Sequence, residues 1–225
     1  MKKIAGILFR WLCVPVFLLL TYALFWAELE AAVFFPKDQL TWFFAGGFLL
    51  GSALFTMFTQ LVPFYVFGHE ATHWVVAKLF RKETGKFHCR WGSGYVEIRN
   101  PNVWIILAPY FVPFYFLIFT GIWGLLDLLM PGKLIFFYPW MSGLLGLTYS
   151  YHLVLTFIAL GKGQKDLNHK GKIFSLALIL VMNALFFFLA TLTVTRQWKY
   201  GLNSLTSKIL TILHKLVLEP IAGLF

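Results

Sequence analysis

Long apolar runs separated by short polar segments make up most of the chain. A membrane-spanning helix needs about 20 predominantly apolar residues, and the first run of this length covers about Ile7 to Ala27. Later runs of sufficient length cover about residues 103–129, 134–160 and 173–194. Each of these runs predicts one transmembrane helix.

A further apolar run, from Leu40 to Phe80, is about twice as long as one span requires. Three arrangements fit this length: two spans, one span followed by a re-entrant helix, or one long helix kinked at Pro63. Proline removes a backbone N–H from a helix and is a common cause of a kink. The pattern alone leaves these three alternatives open.

Two shorter patterns complete the predicted architecture. Residues Phe87 to Ile98 have strand-like flanks around Gly-Ser-Gly, which predicts a β-hairpin. From Leu205 to Leu218, apolar residues share one helical face, which predicts an amphipathic helix in the membrane interface. We therefore expect an all-α polytopic membrane protein with about five transmembrane helices, organised as a single membrane domain over residues 1–200 and an interfacial helix over residues 201–225.

The composition supports the bilayer as the solvent of this chain. Of its 225 residues, 60% are hydrophobic and only 12% are charged, whereas a soluble domain has about 25% charged residues. A soluble core of this size could not hide 26 Phe and 9 Trp without large exposed apolar patches. An ordinary soluble domain is therefore excluded.

The net charge of +10 predicts orientation rather than nucleic-acid binding. Basic residues cluster between the apolar runs, near the N-terminus, in residues 78–99 and in residues 161–170. Loops rich in Lys and Arg stay on the cytoplasmic side of a membrane. We therefore expect a cytoplasmic N-terminus, a hairpin in a cytoplasmic loop, and one net crossing by the run from Leu40 to Phe80.

One motif in this run carries chemistry, and its sequence is Gly68-His69-Glu70-Ala71-Thr72-His73. Residues four apart share one helical face, so the two histidines can bind one tetrahedral Zn²⁺. Zinc lowers the pKa of a water ligand, and Glu70 is placed to accept a proton and pass it to a leaving amine. The alternative is a set of polar residues that merely hydrogen-bond within a helix bundle.

A catalytic zinc site uses a third protein ligand and keeps one position open. The side chains that offer suitable atoms are His88, Glu97, Asp127, His152, Asp166 and His169. The predicted topology puts Asp127 on the opposite side of the membrane, and Asp166 on the same side as the motif. Simpler roles are a solvated loop charge or helix cap for Asp166, and a histidine bonded to a backbone carbonyl for His152.

The His69–His73 motif in an apolar helix, followed by a basic hairpin and a later span ending near Asp166, resembles the site-2 protease family of intramembrane metalloproteases. The resemblance covers about residues 63–185 and is to compact bacterial members without a PDZ domain. In that family, the third ligand is an Asp near the end of a later core helix, often within Asn-Pro-Asp-Gly, and here only the Asp, Asp166, matches that pattern. The resemblance implies one Zn²⁺ per chain, held by His69, His73 and Asp166 in a bacterial cytoplasmic membrane.

These observations predict a zinc-dependent endopeptidase that cleaves a membrane-embedded or membrane-proximal peptide bond near the cytoplasmic face. Its partners are then the lipid bilayer and a transmembrane protein or peptide substrate, without nucleic acid. His152 or Asn183 is expected to contact the substrate or its oxyanion. The rival functions are a membrane metal-binding protein that handles ions or lipids, and a catalytically silent adaptor.

Overall fold

The computed structural model of the protein describes residues 2–31, 38–57, 62–161, 165–168 and 171–219. Its α-helices are α1 (Lys2–Ala31), α2 (Gln39–Met57), α3 (Val62–Leu79), α4 (Val103–Leu107), α5 (Phe114–Leu129), α6 (Tyr138–Gly161), α7 (Lys172–Thr195) and α8 (Trp198–Leu213). Short 3₁₀ turns cover Ala108–Tyr110, Ile135–Phe137 and Lys165–Asn168, and a π-helical turn covers His214–Leu218. Two strands, β1 (Thr84–Arg90) and β2 (Ser93–Ile98), form the sheet.

Four described helices are long and apolar enough to cross a membrane, namely α1, α2, α6 and α7. A fifth crossing would be the pair formed by Val103–Tyr110 and α5, which is bent by 82°. The coarse prediction of a helical protein with four or five candidate spans and a small hairpin is therefore confirmed. Pro109 and Pro113 lie at the bend, which is where missing backbone donors interrupt a helix.

The long apolar run between Leu40 and Phe80 contains α2, which is one of the four candidate spans, and α3. α2 ends at Met57, and α3 begins at Val62 with Pro63 in its first turn. Proline is tolerated in a first turn because the N–H there has no helical acceptor. Residues 58–61, where the join would decide among the three predicted arrangements, lie outside the described residues.

The chain divides into two compact units, the first comprising Met1–Asp38 with Ile173–Phe225. In this unit α8 packs against α1, with Gly201 and Ser204 on its buried face. The carboxylate of Glu30, near the end of α1, accepts a hydrogen bond from the Ser204 hydroxyl and pairs with Lys208. Leu210 and Leu213 on α8 are exposed.

The second unit, Gln39–Lys172, contains α2 to α6 and the hairpin. Two contacts show that α2 and α6 run parallel in this unit. Near the start of both helices, Ser142 donates to the Leu40 carbonyl, and further along both, Phe55 packs on Tyr151. Close contact depends on small residues: a Cβ on Gly47 would strike the Gly143 carbonyl of α6. Close backbone approach at small residues is a general means of helix association in membranes.

The hairpin begins earlier than its sequence pattern predicts. β1 starts at Thr84, and the tight turn is formed by Trp91 and Gly92. Arg90 pairs with Ser93 and Cys89 with Gly94 in the antiparallel register. The predicted Gly-Ser-Gly turn is therefore displaced, and its second glycine lies within β2.

The α2–α6 contact yields a matched pair of substitutions. Gly47→Ala should destabilise the protein by about 1–3 kcal/mol, since the added methyl overpacks the helix contact. Gly46→Ala, where a Cβ meets nothing within 4 Å, should be neutral or stabilising by up to about 1 kcal/mol through helix propensity. Unfolding of the purified protein in detergent, followed by tryptophan fluorescence, distinguishes the two, and equal midpoints would contradict the packing role of Gly47.

Candidate metal centre

The two histidines of the motif lie on the same side of α3. Their ring centroids are 4.9 Å apart and the rings are nearly perpendicular, at 80°. This follows from the helical spacing of His69 and His73, which puts side chains four residues apart on one face. Two imidazoles in this arrangement can direct one nitrogen each towards a common point.

Asp166 joins the histidines from a distant part of the second unit. It lies in the 3₁₀ turn Lys165–Asn168, after the end of α6. Donor atoms of His69, His73 and Asp166 all lie within 4.8 Å of one another. Among the described residues, this is the group of three side chains that the fold brings together and that could hold a metal ion.

A backbone carbonyl orients the second histidine. Nδ1 of His73 lies 2.7 Å from the carbonyl oxygen of Ile105 in α4, and it must carry the proton because a carbonyl only accepts. The free lone pair of His73 is therefore on Nε2. A metal-ligating histidine usually donates its other N–H in this way, which fixes its tautomer and orientation.

Pro109 explains why the Ile105 carbonyl is available. In a continuous α-helix this carbonyl would accept the N–H of the residue four positions later. That residue is Pro109, which has no N–H. The side chain of Asn102 caps the start of the same short helix by accepting from the Ile105 N–H at 2.9 Å, so α4 is held at one end and opened at the other.

The same broken segment orients the carboxylate. The hydroxyl of Tyr110, which is fully buried, donates to Oδ2 of Asp166 at 2.8 Å. This hydrogen bond occupies one carboxylate oxygen and leaves Oδ1 without that constraint. Ile105 and Tyr110 therefore support two different members of the His69–His73–Asp166 group from one stretch of eight residues, Val103–Tyr110.

These contacts suit zinc chemically. Two imidazole nitrogens and one carboxylate oxygen form a ligand set used by catalytic zinc sites, which leave a fourth position open. Nδ1 of His69 is buried and has no hydrogen-bond partner within the described protein. A metal ion would satisfy this nitrogen if it is the one that faces His73 and Asp166, because buried polar atoms are normally paired.

Glu70 faces the hairpin beside this centre. Its carboxylate accepts a hydrogen bond from the backbone N–H of Val96 in β2. A Cβ on Gly94 would lie 2.7 Å from Cγ of Glu70 and 2.8 Å from Val66, so the glycine permits close packing of β2 on α3. The hairpin thereby restricts the position of the carboxylate next to the His69–His73–Asp166 group.

An open cleft of about 970 Å³ adjoins Glu70 and His69. Its walls come from α3, from the start of β2 at Ser93 and Gly94, and from the last turns of α6. A narrower pocket lies on the other side of His69 and includes His152. The centre is therefore reached from two cavities, and Glu70 borders the larger one.

The remaining predicted residues have other surroundings. His88 stacks on Tyr95 within the hairpin, and Glu97 accepts the Lys86 N–H. Asp127 accepts the Tyr138 hydroxyl at the start of α6.

The other candidates are distributed between the two units and beyond the described chain. His152 lines the narrow pocket, near the centre without joining its donor group. Asn183 belongs to α7 in the first unit, where its amide donates to the Ile179 carbonyl, and its substrate role stays a prediction. His169 lies outside the described residues.

Several residues at the centre belong to no sequence motif that would identify them. Tyr65 lies against His69 with ring centroids 5.6 Å apart, and its spacing of four residues from His69 on one helix was a usable signal. Tyr110 stands at the proline-marked break of an apolar run, where a polar side chain is conspicuous. The side chain of Ile105 does not indicate that its carbonyl is available to His73. The indication is Pro109, four positions later, which has no N–H to donate to that carbonyl.

No protein-family description, curated protein or solved structure matches this chain.

Asp166 should be necessary for metal retention. Asp166→Ala removes one of three donors, so the purified protein should bind zinc at least about 100-fold more weakly, beyond the usual 10- to 100-fold cost of losing an outer partner. Glu97→Ala is the matched control, since that carboxylate bonds to the hairpin backbone instead. Metal analysis after dialysis measures both, and stoichiometric zinc in Asp166→Ala would exclude it as a ligand.

Pro109→Ala tests the support of His73 from the backbone. The new N–H would compete for the Ile105 carbonyl, so zinc affinity should fall by about 10-fold, within the range for outer-shell partners. Pro101→Ala lies before the Asn102 cap and adds no donor inside α4, so its affinity should match the unsubstituted protein. Competition with a chromophoric chelator gives the zinc dissociation constants of both variants. Unchanged zinc affinity in Pro109→Ala would show that the Ile105 carbonyl does not support His73 in binding zinc.

Proposed function

We propose that this protein is an intramembrane zinc metalloprotease of the site-2 protease type, cleaving membrane proteins near the cytoplasmic face of a bacterial membrane. The observation that carries this proposal is the convergence of His69, His73 and Asp166, with Glu70 bordering an open cleft beside them. Metal-assisted peptide hydrolysis needs these parts together: a three-donor site, a carboxylate base and room for a peptide.

Each residue of the centre then has a separate task. His69, His73 and Asp166 hold one Zn²⁺, which when bound supplies a Lewis acid that polarises a carbonyl and makes water acidic. Glu70 accepts the proton of the attacking water and transfers it to the nitrogen of the leaving amine. The Ile105 carbonyl and the Tyr110 hydroxyl keep His73 and Asp166 oriented.

The cleft suits a substrate in extended conformation. A helical peptide bond is shielded by its own hydrogen bonds, so the substrate must unwind before attack. The cleft wall at Gly92, Ser93 and Gly94 carries little side-chain bulk, so a peptide can approach the backbone there. Pairing with an exposed strand edge is a general way to bind an extended peptide.

Charge and helix direction support the membrane arrangement in this proposal. The hairpin and its flanks contain an excess of Lys and Arg over acidic residues, which favours the cytoplasmic side. α2 and α6 run parallel, as they must if both cross from outside to inside. The proposed centre then lies at the cytoplasmic ends of both helices.

Glu70→Gln is the decisive substitution for the proposed reaction. It keeps the shape of the side chain and removes the base, so cleavage should fall by at least about 10²-fold, the lower end of the general-base contribution. Zinc content should stay at one per chain, whereas His69→Ala should lose both zinc and cleavage. The assay uses zinc-loaded protein in detergent with quenched fluorescent casein, and cleavage by Glu70→Gln at the unsubstituted rate would refute the mechanism.

A further inference from the structure

Peptide hydrolysis places negative charge on the carbonyl oxygen as the tetrahedral intermediate forms. Enzymes stabilise this oxygen with hydrogen-bond donors positioned in advance, in a site from which bulk water is excluded. A bound zinc ion would carry part of this charge as a Lewis acid. The two proposed zinc-binding histidines and Glu70 supply no hydrogen-bond donor for the rest, since Glu70 begins as a proton acceptor. A side chain with an available N–H or O–H beside the cleft would therefore add to the stabilisation.

Tyr65 lies at this position. It precedes His69 by four residues on α3, so it extends the face that carries both histidines. Its ring centroid is 5.6 Å from that of His69. Tyr65 also lines both cavities, the cleft with Glu70 and the narrow pocket beyond His69, so it stands where the two meet.

The hydroxyl of Tyr65 is buried and has no hydrogen-bond partner within the described protein. Leaving a buried hydroxyl without a partner costs about 1–3 kcal/mol, so each such group calls for an explanation, of which a catalytic role is one. What distinguishes Tyr65 from the other unpartnered atoms of the second unit outside His69 is its place on the cleft that Glu70 also lines.

Neighbouring tyrosines differ from Tyr65 in this respect. Tyr110 also contacts His69, with ring centroids 5.4 Å apart, but its hydroxyl donates to Asp166. Tyr115 lines the narrow pocket, and its hydroxyl donates to the Phe64 carbonyl at 2.5 Å. In both residues the donor is already used to stabilise the fold.

His152, which the sequence suggested for this task, has a different place. It borders the narrow pocket, whereas Glu70 borders the cleft. The role suggested for Asn183, which belongs to the first unit, stays a prediction.

We propose that Tyr65 is a catalytic residue whose hydroxyl donates a hydrogen bond to the oxyanion of the tetrahedral intermediate formed from a peptide substrate. This role rests on the proposed protease function and adds a residue to it. The tyrosine keeps its proton throughout, and no covalent bond to it forms or breaks. Because the donor acts on charge that develops during the reaction, it lowers the barrier without strengthening substrate binding.

Tyr65→Phe removes only the hydroxyl and leaves the ring against His69. Loss of one oxyanion donor should lower kcat by about 10²- to 10³-fold, with KM little changed and zinc still at one per chain. A phosphinic pseudopeptide has a tetrahedral, negatively charged group, so its affinity measured by calorimetry should fall in parallel. The thermal midpoint should stay equal or rise, since the hydroxyl has no protein partner to lose.

Tyr115→Phe is the matched control, because it removes a pocket hydroxyl that is bonded to Phe64. It should retain kcat and pseudopeptide affinity while its thermal midpoint falls. Unchanged kcat in Tyr65→Phe would overturn the proposal, and so would a loss of zinc or a rise in KM alone. An equal fall in kcat for both variants would likewise assign the effect to general packing.

The assay separates this proposal from the one on which it rests. Unsubstituted protein and Glu70→Gln are measured first with the same casein substrate. If the unsubstituted protein does not cleave, or Glu70→Gln cleaves equally well, the protease function fails and the role of Tyr65 fails with it. If these two behave as expected and Tyr65→Phe is fully active, only the role of Tyr65 is refuted.

Discussion

The hydrogen bond from His73 to the Ile105 carbonyl is the interaction on which the arrangement of the centre depends. It exists because Pro109 cannot donate to that carbonyl, so a backbone acceptor within an apolar environment needs another partner. The imidazole satisfies the acceptor and is oriented by it. The same broken segment brings Tyr110 to Asp166, so one interruption of a helix supports two of the three grouped side chains.

Close packing at glycines shapes two further contacts of the second unit. Gly47 and Gly143 let α2 and α6 approach until their backbones touch. Beside the centre, Gly94 lets the hairpin approach Glu70 on α3. The second of these contacts restricts the position of the Glu70 carboxylate, and the first holds together the two longest helices of the unit.

Much of this could be predicted from the sequence where the signal is local. His69, Glu70 and His73 are recognisable because helical spacing alone puts the two histidines on one face. The apolar runs likewise predict the candidate spans, since span length follows from bilayer thickness. Asp166 required an argument about membrane sides, because nothing local links it to residues almost one hundred positions earlier.

The features that could not be predicted depend on contacts between distant segments. The Ile105 carbonyl carries no side-chain signal, and the Tyr110–Asp166 bond joins residues 56 positions apart. The hairpin turn lies at Trp91 and Gly92, before the centre of the Gly-Ser-Gly pattern. Gly94 belongs to β2, where its lack of a side chain allows packing against Glu70. The spacing of Tyr65 from His69 places it on the same helical face, but its unpartnered buried hydroxyl depends on packing and has no sequence signal.

The use of a backbone carbonyl has a consequence for the way such a sequence can diverge. Apolar residues of similar size at position 105 fill the same buried site and present the same oxygen, so this position can vary among them without loss of the contact to His73. The residue on which the contact depends in the sequence is instead Pro109, which has no N–H to donate to the Ile105 carbonyl. Descendants of this protein would then share only a few scattered residues, while almost every residue around them changes. The shared residues would be two histidines, a glutamate, a proline and an aspartate.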